Sequence, residues 1–148
     1  RYDRGHATEA AARVLVEEML GESLFPATAV SDEDEKLLAS FDGIDMLETV
    51  VYEHKLWNER LADQVRRGEL EPHYYWQLEQ QLLVSKAERA IFVVSDGTRD
   101  RFVWMEYRPV QGRAQQLIAG WKQFDADLAA YTPPAASALP LPEVPATP

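Results

Sequence analysis

Between Thr49 and Leu56 the chain reads Thr-Val-Val-Tyr-Glu-His-Lys-Leu, a run whose β-branched and aromatic side chains call for an extended strand. The two-residue period of a strand turns Val51, Glu53 and Lys55 to one face and Tyr52, His54 and Leu56 to the other. A glutamate and a lysine therefore point the same way from an otherwise apolar strand, and the segments on either side decide what surrounds them.

Upstream, Thr8 to Leu20 is rich in helix formers, and Ala12, Leu15, Val16 and Met19 fall on one inward stripe. Thr8 is the expected N-cap and Gly21 the stop. Ser23 to Val30 and Leu37 to Met46 read as two further strands, the second forming a hairpin with Thr49 to Leu56. Downstream, Asn58 to Glu69 and Pro72 to Ser85 read as helices, the latter opened by a proline suited to a first helical turn. Arg89 to Ser95 and Arg101 to Tyr107 flank the turn Asp96-Gly97-Thr98-Arg99-Asp100 and form a second hairpin. Gln111 to Tyr131 is a long amphipathic helix. The order α-β-β-β-α-α-β-β-α specifies an α/β domain with a mixed β-sheet flanked by helices. Residues 1–131 make up this domain. Of the sixteen residues from Pro133 to Pro148, six are proline, so residues 132–148 read as a Pro/Ala-rich linker or tail.

With 148 residues, 46% of them hydrophobic and 27% charged, the chain can bury one core but is short for two. It contains no run approaching the roughly 20 apolar residues that span a bilayer and no signal-like segment at Arg1-Tyr2-Asp3-Arg4-Gly5, so no membrane is expected and the location is cytoplasmic. The absence of cysteine excludes a disulfide framework, thiolate zinc and a cysteine nucleophile. Carboxylate, histidine and hydroxyl chemistry remains, which suits hard, oxygen-seeking metals. A net charge of −10 argues against a phosphate-binding surface, but the excess is local: residues 1–50 carry 4 basic and 12 acidic side chains, residues 51–100 carry 7 and 9, and residues 101–148 carry 4 and 4. Part of that excess is the run Asp32-Glu33-Asp34-Glu35, which reads as a solvated loop.

In Ser40-Phe41-Asp42-Gly43, Asp42 sits on the hairpin arm facing Glu53, giving the spacing D-x10-E-x-K. Taken singly, these features are ordinary. An exposed E-x-K pair on a strand contributes under about 1 kcal/mol, and Asp-Gly is most often a turn. The first helix adds a third acid, since Glu9 continues the inward stripe while Glu17 and Glu18 face mostly outward. Three carboxylates gathered within roughly 4 Å repel by about 4 kcal/mol per pair at an effective dielectric near 20. They would protonate or separate unless a cation joined them. Oxygen-only ligands suit Mg²⁺ or Mn²⁺, one or two ions.

Four motifs in order, Gly5-His6-x-x-Glu9-x-x-x-Arg13, Ser40-Phe41-Asp42-Gly43, Glu53-His54-Lys55 and Tyr74-x-x-Gln77, resemble those of the phage recombination nucleases of the lambda-exonuclease and YqaJ type. These nucleases fall within the PD-(D/E)xK, or restriction-endonuclease-like, superfamily. The match runs from about Arg4 to Tyr107. The resemblance implies that Asp42 and Glu53 ligate metal, that Glu9 supports the site from its helix, and that the backbone carbonyl of His54 adds a ligand. It implies too that Lys55 orients or helps deprotonate the attacking water, and that Gln77 contacts the metal-bound water or the scissile phosphate. The implied activity is a Mg²⁺-dependent deoxyribonuclease, an exonuclease rather than an endonuclease, acting in phage recombination or end resection. The implied partners are double-stranded DNA, a single-strand annealing protein and further copies of the chain in a homo-oligomer, in a phage or prophage protein of a bacterial host. Two departures stand out. Phe41 replaces the usual proline, and the chain begins almost at Gly-His-x-x-Glu, where relatives carry a preceding segment with basic, DNA-gripping residues; this fits a shortened chain or a divergent member.

Some residues point elsewhere. His6 and Glu9 are spaced like metal ligands, but zinc would need nitrogen or sulfur partners that the sequence does not provide. His73 reads as a surface residue. Tyr75 and Trp76 read as core, while Tyr74 fits either the core or a stack on an unpaired base. Arg60, Arg66 and Arg67 form the local basic patch and are candidate phosphate contacts. The competing reading is a catalytically silent nuclease-fold module that binds DNA or a recombination partner. A third reading, an acidic face that binds a basic protein, would leave the inward Glu9 unexplained.

Overall fold

The computed structural model describes residues 2–31 and 37–134. The elements run α1 (Tyr2–Leu20), β1 (Leu24–Val30), β2 (Leu38–Asp45), β3 (Val50–Leu56), α2 (Glu59–Arg66), α3 (Pro72–Ser85), β4 (Arg89–Ser95), β5 (Phe102–Tyr107) and α4 (Arg113–Ala130). They follow the expected order, and the fold is α/β with a mixed sheet. The chain divides into two compact units, Arg1–Gln115 and Gln116–Pro148, and the division falls inside α4. Within α4, Trp121 and Phe124 meet edge to face with ring centres 5.7 Å apart. The acidic run Asp32–Glu35 and residues 135–148 of the proline-rich stretch lie outside the described residues. No described helix is long and apolar enough to cross a membrane.

In the first unit the five strands are ordered β1-β2-β3-β4-β5. Neighbours are antiparallel except β3 and β4, which run parallel with Glu53 opposite Phe92 and Lys55 opposite Val94. A parallel pair cannot be closed by a tight turn, so α2 and α3 together form its crossover. Local chemistry sets their ends. Asn58 caps α2 by accepting the Leu61 N–H at 3.0 Å. Pro72 occupies the first turn of α3, whose C-cap Lys86 turns left-handed at φ 60°.

The central strands are buried on both faces, and the Ala90 to Val94 stretch of β4 is fully enclosed. On the Tyr52 face, Val16, Leu24, Val50, Tyr52, Ile91 and Val93 form the core under α1. The Tyr52 hydroxyl donates to the backbone carbonyl of Glu9. On the Glu53 face lies α3, tied to the sheet through Gln77 and Gln81. The alternation along β3 therefore sends an aromatic ring toward one helix and a carboxylate toward the other.

Asp45 closes the β2–β3 hairpin. Its carboxylate accepts the Thr49 N–H and Thr49 Oγ1, each at 2.6 Å, and the Val50 N–H at 2.9 Å. Burial pushes the Asp45 carboxyl up, but these hydrogen bonds outweigh it and hold the group below the usual aspartate range. Gly43, beside Asp42, lies within β2 and not in a turn. A Cβ there would stand 3.0 Å from both Leu24 Cβ and Tyr52 Cδ2, so the strand passes only without a side chain.

Four expectations require correction. Helix α1 starts at Tyr2, so Thr8 is interior and not an N-cap; a helix tolerates Gly5 at a cost of about 1 kcal/mol. Met19 is 41% exposed, and Leu20 takes its place against the core. Glu17 turns inward enough to accept the Leu24 N–H at 2.9 Å, which anchors the start of β1. Tyr75 and Trp76 are half-buried, with the Arg113 guanidinium 3.7 Å over the Tyr75 ring; the core positions of α3 belong to Leu78, Leu82 and Val84.

Replacing Asp45 with Ala strands two backbone N–H groups and a hydroxyl. It is expected to lower stability in urea unfolding at neutral pH by about 2–3 kcal/mol. Because the folded carboxyl titrates below the unfolded one, the wild-type advantage is present above the ordinary aspartate range and shrinks as pH falls through the folded value. An unchanged midpoint would show that the hairpin closes without it.

Candidate active site

The β2–β3 ladder pairs Gly43 with Tyr52 and Ile44 with Val51, and it stops there. Beyond Gly43 the strands are no longer laddered, and side chains fill the gap. Asp42 Oδ2 accepts the His54 N–H at 2.8 Å, standing in for the next backbone bond. Gln81 Nε2 donates to both Ser40 O (2.9 Å) and Glu53 Oε2 (2.8 Å). Gln77 Nε2 and Lys55 Nζ reach the other oxygen, Glu53 Oε1, at 2.9 and 3.3 Å.

Next to this gap is a cavity of about 570 Å³ lined by Gly5, His6, Glu9, Phe41, Asp42, His54 and Lys55 among others. Glu9 enters from α1. Its Oε1 is buried without a hydrogen-bond partner, and Arg13 Nε is 3.6 Å away, too far for a good bond. A second cavity of about 330 Å³ lies on the other side of Lys55 and Leu56, bounded by Asn58, Arg60, Gln64, Glu71 and Tyr74.

All three acids are pushed up from the usual carboxylate range. Burial is the main cause in each, and Asp42 adds repulsion at both Glu9 and Glu53. Opposing pulls come from Arg13 on Glu9, from the His54 N–H on Asp42, and from Gln81 and Lys55 on Glu53. Burial drives the His54 imidazole down to about 4, with Lys55 pushing the same way. His54 is therefore neutral at pH 7, its Nε2 lying 2.7 Å from Ser95 Oγ.

The structure places Glu9, Asp42 and Lys55 on one cavity and joins Lys55 and Gln77 to Glu53, to which it adds Gln81. That residue was legible in principle: it falls one turn after Gln77 on the same helical face. Among the described residues, no three His, Asp or Glu side chains converge into a ready-made metal cage. A Mg²⁺ ion would need only one or two carboxylates from the protein, since it keeps several waters. The Glu9 oxygen that lacks a hydrogen bond and the repulsion between Glu9 and Asp42 are the features a hard cation would satisfy. His54 meets Asp42 through its backbone N–H. Tyr74 is half-buried, edge-on to Phe92 at 5.5 Å, with Lys55 Nζ 5.7 Å from its ring centre. Arg60, Arg66 and Arg67 are each paired with a nearby acid, Glu71, Asp63 and Glu69. His73 is exposed, as expected.

No protein-family model matches the chain, and no curated protein matches it. The fold that carries this site is shared with an exonuclease of known structure. The chain superposes on an alkaline exonuclease (LHK-Exo) from Laribacter hongkongensis with a TM-score of 0.72 and 20% identity, covering 82% of this chain and 65% of that one. The same exonuclease in complex with dAMP matches equally, at a TM-score of 0.72. The chain spans about 65% of that exonuclease's length, and identity this low speaks for the fold alone.

A raised folded pKa means that ionised Asp42 weighs against the fold at neutral pH, a penalty absent where the carboxyl is protonated in both states. In EDTA at pH 7, Asp42→Asn is expected to raise the melting temperature by about 2–6 °C. The gain should vanish as pH falls toward about 4. Scanning calorimetry at the two pH values checks this, and a destabilised variant at pH 7 would refute it.

Proposed function

We propose that this chain is the catalytic domain, residues 1–131, of a metal-dependent deoxyribonuclease of the lambda-exonuclease and YqaJ type within the PD-(D/E)xK superfamily. One observation carries the reading. In a fold shared with an alkaline exonuclease, Asp42 and Lys55 line the cavity that Glu9 enters with a carboxylate oxygen lacking any hydrogen bond, and Glu53 hydrogen-bonds to Lys55. Asp42, Glu53, Glu9 and the His54 backbone carbonyl would hold Mg²⁺ or Mn²⁺, one or two ions. The bound metal would polarise the scissile phosphate and lower the pKa of a water.

The protein groups then have distinct tasks. Asp42 and Glu9 supply negative charge to the cavity. Lys55, its ammonium shared with Glu53, is within the same cavity and can turn toward water or phosphate. Gln77 donates to Glu53 Oε1 and so restrains that carboxylate, and it would contact the metal-bound water or the scissile phosphate. The partner is double-stranded DNA, and Tyr74 and Arg60 would flank it from the second cavity, with Arg66 at the end of α2 and Arg67 at its C-cap. The dAMP complex of the neighbour is in keeping with a nucleotide in such a site. An exonuclease is favoured over an endonuclease by the neighbour's activity. A homo-oligomer, a single-strand annealing partner and a cytoplasmic location in a phage-bearing bacterium complete the proposal. The alternative, a catalytically silent module of the same fold, draws support from the ion pairing of Arg60, Arg66 and Arg67, which leaves less positive charge for phosphate.

Incubating linear and circular duplex DNA with the protein in Mg²⁺ tests the reading. Degradation of the linear form alone is expected, with the rate reduced about 10²-fold or more in Lys55→Ala. Nicked circles would mean an endonuclease. No cleavage in Mg²⁺ or Mn²⁺ would leave the silent module.

A further inference from the structure

The glutamate that the proposed chemistry relies on does not hold its own orientation. The terminal torsion of a glutamate is broad, so a carboxylate held at one oxygen rotates about its last bond. Glu53 is held at both. Gln77 and Lys55 reach Oε1, and Gln81 reaches Oε2 at 2.8 Å. Gln81 is 2% exposed, and its amide nitrogen also donates to the Ser40 carbonyl at 2.9 Å. Ser40 is two residues before Asp42, on the side of Gly43 where the β2–β3 ladder has ended. A single side chain thus spans the unladdered gap and links the strand bearing Asp42 to the carboxylate of Glu53. The Gln81 Oε1 atom is buried with no hydrogen-bond partner. An amide left half-satisfied in a closed interior costs stability, and a methionine would fill the same space without that cost.

We infer that Gln81 is a positioning residue, setting the plane of the Glu53 carboxylate and its placement relative to Asp42 for divalent-metal binding. The inference rests on the metal-dependent nuclease reading. Its nearest comparison is Gln80, the preceding residue of α3, which also donates to β2, at Leu38 O (2.6 Å), but has no bond to Glu53. The two glutamines separate attachment of α3 to the sheet from control of the carboxylate.

The test is calorimetric titration of Mn²⁺ into the wild-type protein, Gln81→Met and Gln80→Met, with melting temperatures as the control for folding. Gln81→Met is expected to weaken Mn²⁺ binding by about 10–100-fold. Its kcat on linear duplex DNA should fall by a similar factor at unchanged KM, while Gln80→Met binds Mn²⁺ like the wild type. Gln81→Asn keeps an amide but is too short to reach Ser40 and Glu53 together, so it should lose part of the affinity, and it serves as the deciding variant if Gln81→Met melts early. Wild-type Mn²⁺ affinity in folded Gln81→Met or Gln81→Asn overturns the inference and leaves the nuclease reading in place. Equal weakening in Gln80→Met overturns it as well, reducing Gln81 to a helix tether. A wild-type protein that binds no Mn²⁺ removes both.

Discussion

The hydrogen bond from the His54 N–H to Asp42 Oδ2 occupies the point on which the rest of the site turns. It lies one step past the last laddered pair of β2 and β3, where an ordinary sheet would continue with backbone bonds. With a side chain taking the place of the carbonyl, the strands can part without leaving a buried N–H unsatisfied. That parting makes room for α1 to bring Glu9 to the cavity from one face and for α3 to bring Gln77 and Gln81 to Glu53 from the other. Gly43 permits the tight packing of Leu24 and Tyr52 beside it, and Asp45 holds the far end of the hairpin, so the opening is confined to one end.

The same arrangement stores unfavourable electrostatics. Glu9, Asp42 and Glu53 are each pushed toward the protonated form by burial. A fold selected for stability alone would replace such groups with amides or apolar residues, since a buried charge with incomplete compensation is among the costlier features of an interior. Glu9 and Asp42 border one cavity with Lys55, and Glu53 hydrogen-bonds to that lysine and to two glutamine amides; acids with raised pKa gathered in this way mark a candidate functional site.

The order of elements was determined by the sequence alone, because period-2 runs such as Thr49–Leu56 and the proline at the head of α3 are local signals that need no tertiary context. The D-x10-E-x-K spacing was legible for the same reason, since strand periodicity fixes which side chains share a face; Glu9 was legible from the helical stripe of α1, while Gln77 and the roles came from a resemblance in motif order. The tertiary structure alone decided what those carboxylates touch. The bridge from Gln81 joins residues 41 and 28 positions apart in sequence, and its geometry depends on where a ladder stops, which no local propensity specifies. The exposure of Met19 and the placing of Tyr75 under Arg113 were likewise settled by packing, since helix propensity is too weak to resist contacts made across the fold. The basic patch of Arg60, Arg66 and Arg67 was visible as composition, but its pairing with Glu71, Asp63 and Glu69 is a matter of side chains meeting in space. Local sequence encodes periodicity, whereas long-range hydrogen bonds and charge compensation arise only once the chain has closed on itself.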